Sequence, residues 1–137
     1  MALDRDNANP GYRLGRLFAV LESAQRAALP GLNATIRDRY FGAASATPAT
    51  VFPLLIRNSS HHIANLRKGD KGGLAVWLDR EIGEVMGGIA ARFPGTLRLE
   101  EQGQFAIGYY HQRFAKRADK PAGIPADDAT DATDTTE

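Results

Sequence analysis

The chain is cut by helix breakers at near-regular intervals: Asn9-Pro10, Pro30-Gly31, Thr47-Pro48, Lys68-Gly-Asp-Lys-Gly-Gly73 and Pro94-Gly95. Between these points apolar residues recur at three- and four-residue spacing, and no run sustains the period-two alternation of a half-buried strand. Helices with one apolar stripe become stable by packing those stripes together. The pattern therefore predicts an all-α fold, a compact five-helix bundle. A length of 137 residues suits one domain, and 43% hydrophobic residues suffice for a core. The expected organisation is a flexible leader (1–9), a helical bundle (10–118) and a disordered acidic C-terminal tail (119–137).

The first helix starts at Asn9-Pro10, a capping side chain followed by proline at the first helical position. Leu14, Leu17, Phe18 and Leu21 share its apolar face, and Pro30-Gly31 ends it. A second helix is expected from about Asn33 to Tyr40, with Gly42–Ala46 as a small-residue loop. Thr47-Pro48 repeats the cap-plus-proline signal, and the third helix buries Phe52, Leu55, Ser59, Ile63 and Leu66. The fourth is expected over about Leu74–Phe93, with Leu74, Leu78, Ile82, Val85, Met86, Ile89 and Phe93 in register. Small residues within it, Gly83 and Gly87-Gly88, allow another helix or a partner to approach closely. The fifth is expected over about Glu100–Arg117, with acids in its first turn and cations in its last, as the helix dipole favours. Its phase puts Tyr109, Tyr110, Arg113, Lys116 and Arg117 on one broad face, and Ile107 and Phe114 on the core side.

Charge narrows the function. The net charge of +1 conceals a segregation: all 17 cations lie at or before Lys120, and five of the 16 acids lie in the last eleven residues. Through Ala126 the 17 cations face 11 acids, so the body carries +6. Thirteen of the cations are arginine, whose planar guanidinium suits phosphate. A basic body points to a polyanionic partner, and an ordinary solvated surface is the alternative. The absence of cysteine excludes disulfides, thiolate catalysis and cysteine-based zinc sites. The polar N-terminus is no signal peptide, and no apolar run approaches the ~18 residues of a membrane span. A cytoplasmic protein with no membrane partner is expected.

Few residues suggest chemistry. His61 and His62 are adjacent on a helix and point about 100° apart, so they cannot chelate one ion as an i, i+4 pair does. No metal and no cofactor is expected. Asp79, Glu81 and Glu84 read as a solvated helix face with ion pairs rather than paired catalytic carboxylates. Lys68–Gly73 lacks the spacing of a phosphate loop and reads as a basic turn between helices. No catalytic set emerges, and the chain is expected not to be an enzyme.

Three segments carry a resemblance: Asn9-Pro-Gly-Tyr-Arg-Leu-Gly-Arg-Leu-Phe-Ala-Val-Leu-Glu22, the run Asn33–Pro53, and Gln102-Gly-Gln-Phe-Ala-Ile-Gly-Tyr-Tyr-His-Gln-Arg113. His61-His62 followed by Leu66-Arg67-Lys68 fits between them. Together they resemble the C-terminal region of the large subunit of type I-C CRISPR Cascade complexes, over about residues 9–117. In that family the region is also made separately, from an internal start, as the small subunit of the complex. The resemblance implies such a product; an engineered fragment is the alternative. It further implies a non-catalytic role along the backbone filament, helping to secure the target strand and the displaced strand of the R-loop. The implied partners are Cascade backbone subunits, the large subunit, further copies of the chain, guide RNA and target DNA. Sequence specificity would then come from guide–target pairing, with the protein neutralising phosphates.

The expected strand contacts are Arg13, Arg16, Arg37, Arg39, Arg67, Lys68, Lys71, Arg113, Lys116 and Arg117, chosen for exposure by helical phase and for membership of the resembling segments. Arg37 and Arg39 lie about 200° apart on a helix, so one of them is expected to meet protein instead. The alternative function is a pure assembly module whose arginines contact only neighbouring subunits.

Overall fold

The computed structural model describes residues 2–89 and 91–115. Among them the chain forms five helices in order: α1 (Pro10–Ala28), α2 (Ile36–Ala46), α3 (Pro48–Lys68), α4 (Gly72–Met86) and α5 (Leu99–Arg113). The all-α bundle expected from the breaker pattern is the fold observed. The expected tail lies outside the described residues.

Helix α1 is the axis, buried continuously from Gly11 through Glu22. Its start follows the sequence signal: Asn9 Oδ1 accepts from the Gly11 and Tyr12 amides at 2.9 and 3.4 Å. Its closest partner is α5, which runs parallel to it. The contact depends on three glycines. A Cβ at Gly11 would sit 1.9 Å from the Glu101 carbonyl oxygen, one at Gly15 2.0 Å from that of Phe105, and one at Gly108 2.1 Å from that of Tyr12. Only hydrogen fits where one helix backbone touches the other. Of the glycines expected to allow close approach near α4, Gly83 faces open space, whereas Gly88 admits the Arg13 side chain; the close backbone contacts lie in the α1–α5 seam.

Two apolar clusters fill the bundle. One joins Leu14, Leu17, Phe18 and Leu21 to Phe52, Leu55, Val85, Phe105 and Tyr109. The other joins Val20 and Ala24 to Ile63, Leu66, Ala75, Trp77 and Leu78. The five residues expected on the inner face of α3 are all buried.

Several boundaries depart from the sequence expectation. The Gly42–Ala46 segment is helical, the last turn of α2, because Ala44 and Ser45 bury against the core. The start of α2 is a capping box, with the Asp38 carboxylate accepting from the Thr35 amide at 2.9 Å. Thr47 does not cap α3; its hydroxyl donates back to the Ala43 carbonyl at 3.0 Å. Helix α4 stops at Met86, and Gly87-Gly88 form a turn instead of continuing the helix. The chain then crosses the α2–α3 junction, where the Ala49 amide bonds Pro94 and the Leu97 amide bonds Ala46. Phe93 still reaches the core from this segment, stacked on Phe52 at 5.4 Å. Residues 4–9 are tied to the bundle through Tyr12, Arg13 and Glu81 rather than forming a loose leader.

The phase of α5 is reversed. Tyr109 is fully buried, whereas Ile107 and Phe114 are 44% and 61% exposed. The reason is the glycine seam: placing Gly108 against α1 turns Phe105, Tyr109 and Gln112 inward.

Candidate nucleic-acid interface

The ten expected contact residues separate into four groups. The first, Arg13 and Arg16, is interior. Arg16 is 0% exposed and Arg13 7%. Exposure by helical phase fails for both because α1 is covered on every side. Arg16 donates through Nε to Gln112 Oε1 at 2.8 Å and through Nη2 to Glu84 at 2.5 Å. Arg13 donates to the backbone carbonyls of Arg5, Asn7, Glu84 and Val85 at 2.9–3.4 Å. Gly88 makes room for it: a Cβ there would sit 2.1 Å from Arg13 Nε.

The partners of these arginines are the carboxylates expected on a solvated face. Glu81 is fully buried, held by Arg5 at 3.1 Å and by the Gln112 amide at 2.9 Å. Glu84 meets Arg5 at 2.8 Å, Arg16 at 2.5 Å and Arg13 at 3.7 Å. Burial alone would raise the Glu84 pKa; the hydrogen bond from Arg16 and the charges of Arg16, Arg5 and Arg13 outweigh it and hold the group below its ordinary value. Three guanidinium groups and two carboxylates thus form one interior network that fastens the leader, α1, α4 and α5. These cations are consumed by the fold.

The second group is Arg113, Lys116 and Arg117. Arg113 is half-buried, donating to the Tyr109 hydroxyl at 2.8 Å and lying 3.7 Å from Glu22. Tyr109 in turn donates to Glu22, which also accepts from Thr35 at 2.6 Å. Burial, and then the hydrogen bond and charge of Glu22, push the Tyr109 hydroxyl up to about 12. Arg113 also borders a cleft of about 490 Å³ between α1 and α4, with Arg26, Leu74 and Trp77. Lys116 and Arg117 lie outside the described residues.

The third group is at the α3–α4 turn. Arg67, Lys68 and Lys71 are all exposed. Arg67 pairs with Asp79 at 2.5 Å, with both side chains about half exposed (53% and 51%). The fourth is on α2. Arg37 and Arg39 are both exposed. Arg37 is the one that meets protein: it donates to the Tyr110 hydroxyl and sits 5.6 Å from the Tyr110 ring centroid. Arg39 makes no ion pair or side-chain hydrogen bond among the described residues.

Sequence reasoning missed Arg5, Glu22 and the inward roles of Glu81 and Glu84. A signal was available for Glu81, which falls with Leu78 and Val85 on one side of α4 at three- and four-residue spacing. It missed Phe114 because the phase of α5 was taken from its cations.

The exposed cations thus fall into two groups, Arg37 and Arg39 on α2 and Arg67, Lys68 and Lys71 at the α3–α4 turn. Among the described residues no three His, Asp or Glu side chains gather in a metal-binding group. His62 is held below its ordinary pKa by burial and by the neighbouring His61, which disfavours a fixed charge there. No helix among the described residues is long and apolar enough to cross a membrane.

Comparison with curated proteins finds no match. A protein-family model described as "CRISPR-associated protein (Cas_Csd1)" matches residues 1–116, so it spans the leader, all five helices, the interior charge network and both exposed cation groups. The chain therefore belongs to the Cas_Csd1 family of CRISPR-associated proteins.

Proposed function

We propose that this chain is the small subunit of a type I-C Cascade surveillance complex, acting without catalysis. It packs along the backbone filament and steadies the R-loop through phosphate contacts from its exposed cations. The observation that carries the reading is family membership across residues 1–116. Two structural features support it. The interior arginines are neutralised internally, and Arg37, Arg39, Arg67, Lys68 and Lys71 remain on the surface. The contact set is accordingly those five, with Arg113 at its margin and without Arg13 and Arg16.

The test is reconstitution of backbone subunits, large subunit and guide RNA with and without this chain, followed by target-DNA binding across a salt series. Each lost phosphate contact lowers the log–log salt slope by about 0.7–0.9. Charge reversal at Arg39, Lys68 and Lys71 is expected to flatten the slope while assembly persists. An unchanged slope with loss of assembly would instead favour the pure assembly module.

A further inference from the structure

The outer side of α5 and its C-cap residue carry an aromatic stack that the phase reversal exposes. Tyr110 and Phe114, one helical turn apart, have rings 16° from parallel with centroids 6.2 Å apart. Phe114 is 61% exposed. At the other end of the stack the Arg37 guanidinium reaches from α2 and lies 5.6 Å from the Tyr110 centroid. It uses a donor on the Tyr110 hydroxyl, and a guanidinium has five. The order along the surface is therefore cation, half-buried ring, exposed ring.

We propose that Phe114 and Tyr110 form a stacking platform for an unpaired nucleobase, with Arg37 taking the adjoining phosphate. The proposal rests on the nucleic-acid reading above and adds to it a base-stacking site, Phe114 on Tyr110, for an unpaired stretch of strand. Every base has a π-face, so an open ring flanked by a cation is a sequence-tolerant site for an extended strand. A duplex keeps its bases stacked inside and cannot use Phe114. Charge complementarity argues for a strand over an apolar protein groove: Arg37 borders the stack and has no carboxylate partner among the described residues.

Phe114 is exposed, so F114A removes the platform without opening the core. The full chain is titrated by fluorescence anisotropy with a labelled single-stranded oligonucleotide of about 16 nucleotides and with the matching duplex. Loss of one stacked base is expected to weaken single-strand binding about 5- to 150-fold. Stacking displaces no counterion, so the salt slope of F114A should equal the parent's. F114W should restore affinity, and duplex binding should not change. Parent-like single-strand binding by F114A overturns the platform, and flattening of the salt slope by R39E and K68E in the same assay would leave the nucleic-acid reading standing. Absence of salt-dependent binding to either oligonucleotide overturns both. Normal strand binding by F114A with loss of retention in the assembled complex identifies the patch as a protein contact and overturns the proposal.

Discussion

Removing Arg16 separates a structural arginine from a nucleic-acid contact. In R16A, Glu84 loses its partner at 2.5 Å, Gln112 Oε1 loses its donor, and the void lies in a fully buried place. Breaking one side of a buried ion pair costs about 3–5 kcal/mol because the remaining charge stays desolvated. Arg5 still contacts both Glu81 and Glu84, which places the loss toward about 3 kcal/mol. Domains of this size hold roughly 5–15 kcal/mol in total, so this one change removes a large fraction of the stability. At about 3–5 °C per kcal/mol the expected fall in Tm is about 10–15 °C. The assay is thermal melting by circular dichroism, with R39A as the exposed control, expected within about 2 °C of the parent. Nucleic-acid binding by R16A, corrected for the folded fraction, should match the parent. An R16A chain that melts like the parent and yet loses salt-dependent binding would refute the internal network.

The glycine seam makes a sharper structural prediction. G15A and G108A each drive a methyl group against a backbone carbonyl, forcing α1 and α5 apart, and should cost at least about 1–3 kcal/mol in denaturant unfolding. G42A, where a Cβ meets open space inside α2, should instead stabilise by up to about 1 kcal/mol. The depressed pKa of Glu84 sets an acid limb: its contribution is complete above the ordinary carboxylate range and is lost as pH falls through the lower folded value. An E84Q chain should therefore show a shallower loss of stability on acidification, by melting across a pH series. Deleting residues 127–137 removes five acids and should strengthen non-specific nucleic-acid binding at low salt, by anisotropy.

Some parts of the fold are written locally in the sequence. Asn9-Pro10 specifies its helix start through one side chain and one ring, and the inner face of α3 is a plain 3.6-residue stripe, so both could be read from the chain. Thr35 and Asp38 spell a capping box that was equally legible and would have placed the start of α2. The continuation of α2 through Gly42–Ala46 was not legible. Small residues are weak helix signals alone, and here the helix persists because Ala44 and Ser45 meet the core. The end of α4 runs the other way, since its apolar residues stay in register through Phe93 while Gly87-Gly88 interrupt the helix beneath them.

The candidate site suffered most from long-range effects. Gly11 and Gly15 stand four residues apart in the sequence, but their meaning depends on Gly108 more than ninety residues away. That contact sets the phase of α5, buries Tyr109, exposes Phe114 and covers Arg16. Counting cations on helical wheels cannot anticipate which of them meet Glu81 and Glu84. Legible in the sequence were the exposure of the basic turn after α3 and the expectation that one of Arg37 and Arg39 meets protein, which Arg37 does at Tyr110.

The central claim is that the surface cations of α2 and the α3–α4 turn meet nucleic acid while the arginines of α1 do not. A cryo-electron microscopy map of this chain in an assembled, DNA-bound complex tests it most directly. The account predicts strand phosphates within hydrogen-bond reach of Arg37 or Arg39, or of Arg67, Lys68 or Lys71, with Arg13 and Arg16 still paired to Glu84. A map in which both surface groups face only protein would contradict it.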